Sequence, residues 1–74
     1  PLDTPAALNL TKRQIQVLQW VSYGKTLQDV SVFLNISPAT VEKHLRLARQ
    51  SLCVETTAQA IMKTVRQNQI HITK

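Results

Sequence analysis

Seventy-four residues, with nine Lys and Arg against four Asp and Glu, give a net charge of +5 and an isoelectric point near 10.0. That length holds one small domain without a large enclosed substrate pocket, and the basic balance favours an anionic partner, nucleic acid ahead of an anionic membrane surface. No apolar run is long enough to span a membrane, and the single cysteine, Cys53, cannot form an internal disulfide, which fits a reducing cytoplasm.

Residues 1–9, PLDTPAALN, hold two of the three prolines and no helical period, and read as the tail of a linker. Residues 10–74 are then expected to be the domain, either cut from a longer protein or carrying residues 1–9 as a short free arm. Its first helix is predicted over 12–23. Thr11 and Gln14 have the spacing of a capping box, Leu10 and Ile15 that of a hydrophobic staple, and Val17, Leu18 and Val21 supply the apolar side. Gly24 sits where a left-handed stop is needed. The second helix is predicted over 27–34, with Thr26 as cap and Asp29 favouring the N-terminal end of the dipole. Leu27, Val30, Ser31 and Leu34 share one face, and the Ser31 hydroxyl is expected to bond back to the Leu27 carbonyl.

Asn35 suits a left-handed turn, Ser37 caps the third helix, and Pro38 occupies its first turn, where a missing N–H costs nothing. The third helix is predicted over 38–52. A link of about three residues between helices two and three is that of a helix-turn-helix. The fourth helix, 57–68, opens with a Thr56–Gln59 capping box and is expected to bury Ala58, Ile61, Met62 and Val65. That leaves Gln59, Ala60, Lys63, Thr64 and Gln67 on its outer arc. The closing NQIHITK either frays or packs Ile70 on the core. No segment alternates apolar and polar residues as a half-buried strand would, so the fold class is all-α.

On the third helix Val41, Leu45, Ala48 and Leu52 fall on one stripe, at about 100° per residue, and should hold it to the core. Opposite lie Glu42, Lys43, Arg46, Arg49 and Gln50, with Arg46 near the centre of the arc. Such a face fits a DNA major groove, and an arginine fork matches guanine O6 and N7 together. Free N–H groups around Ser37 to Thr40 form a phosphate site with the positive end of the dipole, and Lys25 and Thr26 can do the same at the second helix. Basic residues at helical spacing usually form only a solvated face. A short turn, a capped reading helix and a basic whole domain together favour DNA.

Catalysis finds no footing. His44 and Cys53 lie about 180° and 13 Å apart along one helix, so no Cys–His couple forms. The two histidines and one cysteine lack zinc-ligand spacing, and there is no Gly-rich phosphate loop. No enzyme activity, metal or cofactor is expected of this chain. Trp20 and Phe33 read as flank packing, and Leu47 as surface or a contact with the fourth helix.

The string LTKRQIQVL (Leu10–Leu18), GKT (Gly24–Thr26), DVSVFLNIS (Asp29–Ser37), TVEKHL (Thr40–Leu45) and SLCVETTAQAI (Ser51–Ile61) resembles the LuxR-type helix-turn-helix domain of bacterial transcription regulators. Trp20 followed by Gly24-Lys25-Thr26 is most similar to its quorum-sensing branch. The resemblance implies four helices and sequence-specific binding of double-stranded DNA, with helix 38–52 in the major groove and a homodimer on a pseudo-palindromic operator. It assigns base reading to Glu42, Lys43 and Arg46. Backbone contact falls to Lys25, Thr26, Ser37, Thr40, His44 and Arg49, although His44 reads equally well as a packed histidine. The family's fourth helix commonly contributes to dimerisation, which points to Gln59, Lys63 and Gln67.

In that branch an acyl-homoserine lactone binds an N-terminal domain, expected to be missing from these residues. The expected localisation is cytoplasmic, on the nucleoid, and RNA polymerase is the partner on which a helix-turn-helix acting through protein contacts would dock. Two alternatives are a response-regulator output domain and a module acting mainly through protein contacts with the transcription machinery. Gln14 and Gln16 stand for the family's usual glutamates and Thr57 for a frequent arginine, so an acid–base support at the start of the fourth helix is expected to be lost.

Overall fold

A computed structural model describes residues 10–67. The expected linker 1–9, residue 68 at the end of the fourth predicted helix, and the expected placement of Ile70 lie outside the described residues. Four helices follow in order: α1 Lys12–Ser22, α2 Leu27–Leu34, α3 Pro38–Leu52 and α4 Thr57–Arg66. The described residues hold no strand, in line with the all-α expectation.

Each helix starts as its sequence dictates. Thr11 accepts from the Gln14 N–H at 3.1 Å and Gln14 Oε1 accepts from the Thr11 N–H at 3.2 Å. Thr26 with Asp29 and Thr56 with Gln59 close reciprocal boxes of the same kind. Ser37 caps α3 alone, accepting from the Thr40 N–H at 3.1 Å.

Three helices also stop alike. Gly24, Asn35 and Cys53 have φ of +90°, +57° and +57°, the left-handed region. The residue after each donates its N–H back to a carbonyl five positions earlier: Lys25 to Trp20, Ile36 to Ser31, Val54 to Arg49. That is the Schellman closure, and the apolar Ile36 and Val54 pack back on the core. Gly24 and Asn35 were legible as stops. Cys53 was not, because nothing in its chemistry favours positive φ.

α3 is the central element, packed against α1, α2 and α4, and α1 also touches both α2 and α4. The core consists of Val17, Leu18, Val30, Val41, Leu45, Ala48, Leu52 and Ala60, so the stripe predicted on α3 is buried in full. Trp20 flanks it, with its ring 4.7 Å from Phe33 and edge-on to Tyr23 at 6.1 Å.

Two expectations are corrected. Ser31, buried on α2, donates to the Gln28 carbonyl at 2.7 Å rather than to that of Leu27, a bond to i−3 instead of i−4. α4 is turned by one residue, about 100°, from the predicted facing. Ala60 and Thr64, placed on the outer arc, are fully buried, while Ala58 and Met62, placed inside, are exposed. The physical reason lies in two small residues. Ala60 lets α4 approach closely, and the Thr64 hydroxyl bonds to the carbonyls of Ala60 (3.1 Å) and Ile61 (2.8 Å), so its burial leaves no polar group unsatisfied.

Candidate nucleic-acid interface

Because one stripe of α3 is buried, the opposite arc is turned outward. Lys43 and Arg46 are exposed there and, among the described residues, make no hydrogen bond or ion pair. Their heads are therefore available to an external partner. Glu42 is different. Its Oε2 accepts from Arg49 Nη2 at 3.3 Å, and Arg49 Nη1 donates to Thr57 Oγ1 at 2.9 Å, at the first position of α4. Arg49, assigned from the resemblance to DNA backbone, thus spends two guanidinium nitrogens inside the domain, with its side chain 22% exposed.

The same contacts answer the expected loss of support at the start of α4. Thr57 and Gln14 form no ion pair with each other, but Thr57 accepts from the Arg49 guanidinium, which ties α3 to α4, and Gln14 is buried in its capping box.

The helix N-termini offer fewer free donors than the sequence suggested. At α3 the Thr40 N–H bonds to Ser37 Oγ, Pro38 has none, and the Val41 N–H closes on the Ser37 carbonyl, which leaves Ser37 and Ala39. The Ser37 and Thr40 hydroxyls lie 2.9 Å apart, so one donates to the other and a single proton remains for an outside acceptor. At α2 the Thr26 N–H bonds to Asp29 Oδ2 at 3.1 Å, and that carboxylate already answers the dipole. Lys25, exposed beside it, is the main positive group at this end.

His44 is half-buried on α3, and its Nδ1 is buried without a hydrogen-bond partner among the described residues. Burial lowers its pKa below the usual 6.5, and the charges of Arg13 and Lys43 lower it further.

On α4, the three residues expected at a dimer surface differ in what they do. Gln59 is exposed, but its Oε1 accepts from the N–H groups of Glu55 (2.8 Å) and Thr56 (3.1 Å). Lys63 Nζ donates to the Leu52 carbonyl at 2.9 Å, placing a cation at the C-terminal end of α3. Gln67 follows the helix and has a buried Oε1. An open groove runs along this side, lined by Cys53, Val54, Ala58, Met62, Lys63 and Arg66 among others. The turn of α4 puts Met62, 53% exposed, on the lining of this groove, which sequence reasoning missed.

A four-helix domain whose α2 and α3 are joined by Asn35–Ile36–Ser37, and whose α3 carries an outward basic arc, is a helix-turn-helix domain. The family described as "Bacterial regulatory proteins, luxR family" matches residues 8–64, and the chain belongs to this family. It is a family of DNA-binding transcription regulator domains, not a class of enzymes, and double-stranded DNA is the partner it implies.

Among curated relatives, the "HTH-type quorum sensing-dependent transcriptional regulator RpaR" of Rhodopseudomonas palustris is 38% identical over 76% of this chain and 23% of its own length. The "Transcriptional activator protein LuxR" of Aliivibrio fischeri is 38% identical over 76% of this chain and 22% of its own. This chain therefore spans about a quarter of those relatives. The "Spore germination protein GerE" of Bacillus subtilis, 32% identical, aligns over 85% of both chains. A solved structure of the transcription factor GerE superposes with a TM-score of 0.84 at 30% identity, covering 86% of this chain and 96% of that one. Among the described residues, no helix is long and apolar enough to cross a membrane.

Proposed function

We propose that the chain is the sequence-reading output domain of a bacterial quorum-sensing transcription regulator, with the outer arc of α3 in the major groove. The observation that carries the reading is a pair of exposed cations, Lys43 and Arg46, without a partner among the described residues, on a helix whose opposite stripe is wholly buried. Arg46 reads a guanine by its fork, Lys43 a neighbouring acceptor, and Glu42 an amino donor such as cytosine N4. Lys25, Thr26, Ser37, Thr40 and His44 meet phosphates on either side and set the register.

The quorum-sensing assignment takes its support from the similarity to RpaR, a quorum sensing-dependent regulator; GerE, a spore germination protein, is a relative too. On this reading the signal is an acyl-homoserine lactone held by another part of a longer, cytoplasmic protein. Two copies bind a pseudo-palindromic site about 34 Å from centre to centre, joined through the Met62 side of α4.

The test is selection of duplexes from a random pool by this chain, with the affinity of the winners followed across a salt series. The reading predicts an enriched pseudo-palindrome, still preferred over random DNA at about 0.15 M salt. Weak binding without enrichment that vanishes as salt rises would reject it and favour a domain acting through protein contacts.

A further inference from the structure

We propose that Arg49 is a positioning residue for base reading: by bridging the start of α4 to the carboxylate of Glu42, it fixes where that carboxylate sits on the outer arc of α3 and so sets how sharply one base pair is discriminated. This rests on the reading of α3 given above. Glu42 and Arg49 are seven residues apart, two turns along one side of the helix and about 10 Å along its axis. Their side chains meet only by lying along the helix surface, where they close at 3.3 Å.

The guanidinium is anchored at its other nitrogen by Thr57 at 2.9 Å, so its place is set by α4 and not by α3 alone. Exposure follows that order: Arg49 is 22% exposed and Glu42 45%. Glu42 Oε2 is engaged, while Oε1 accepts no hydrogen bond among the described residues and is the oxygen left to face a base.

Two physical consequences follow. A glutamate in a groove lined by phosphates is repelled, and a fixed cation beside it offsets that repulsion. A carboxylate already held in one rotamer loses less freedom on binding and tolerates fewer wrong partners. An arginine touching phosphate would instead strengthen every sequence alike.

The experiment compares the 74-residue chain with Arg49→Lys, Arg49→Met and Thr57→Val on the selected duplex. All three alternative base pairs are tested at the position that Glu42→Ala identifies. Lysine keeps the charge but cannot hold Glu42 and Thr57 together. Discrimination at that position should fall about three- to tenfold in both Arg49 variants and less in Thr57→Val, with the salt slope of Arg49→Lys unchanged. In a Glu42→Ala background, Arg49→Met should change discrimination no further.

Wild-type preference in Arg49→Lys, together with uniform weakening and a shallower salt slope in Arg49→Met, would make Arg49 a phosphate contact and overturn the proposal. If Arg49→Met does not fold, Arg49→Lys and Thr57→Val still decide. A wild type with no base preference anywhere would instead reject base reading by α3.

Discussion

His44 shows how one residue on α3 can carry opposing pressures. Burial and the nearby charges of Arg13 and Lys43 all disfavour its cation in the folded domain. Its folded pKa is thus below the unfolded value, and the unfolded chain takes up the proton first as pH falls. Stability should be level above about pH 6.5 and decline as pH drops through the folded value. Urea melts between pH 7.5 and 5.5 should show that decline in the wild type and a flatter profile in His44→Gln; a wild-type stability that rises on acidification would contradict it. DNA should pull the other way, because a phosphate beside the ring favours the cation. Cys53 offers a second test at this scale. Its φ of +57° suits glycine, so Cys53→Gly should stabilise the domain by about 0.5–1 kcal/mol in chemical denaturation, and a loss of stability would argue against the left-handed closure.

At the scale of the element, α4 is where the sequence and the structure part. Both facings of this helix present four tolerable residues at helical spacing. The sequence reading favoured the set with Met62 and Ala58 over one containing Ala60 and Thr64, while Ile61 belongs to both and packs against the core as expected. Apolar size decides when a face is judged alone, but the space beside α1 and α3 decides in the folded domain, and no single sequence displays that space. The stripe on α3 was legible because Val41, Leu45, Ala48 and Leu52 are all apolar and the arc opposite them is charged. The capping boxes were legible because their chemistry is local. The Arg49 bridge was not, since it joins α3 to a threonine on another helix. The corrected facing is easily tested: Thr64→Lys should cost about 3 kcal/mol or more by forcing a charge into the core, whereas Met62→Lys should stay within about 1 kcal/mol. Thermal melts giving the reverse order would restore the predicted facing.

For the molecule as a whole, the small core and the charge of +5 set the behaviour together. A domain of this size has a net stability of only a few kcal/mol, and among the described residues α3 is held in place mainly by the buried stripe that turns its cations outward. Binding should weaken steeply with salt, and Lys25→Ala should weaken all duplexes alike while reducing the slope of log K against log salt by about one. A sequence-selective effect of Lys25→Ala would place that residue among the readers instead. Dimerisation through the Met62 side of α4 would be small in area, so DNA itself is expected to bring two copies together.

The most direct measurement is the affinity of wild type and Arg46→Ala for the selected duplex and for each of its single base-pair variants at fixed salt. A loss of about 1–3 kcal/mol is expected on the selected duplex, with discrimination collapsing at one guanine position and surviving at the others. An Arg46→Ala chain that keeps the whole preference, or weakens every duplex by the same factor, would contradict the placement of the reading face on the outer arc of α3.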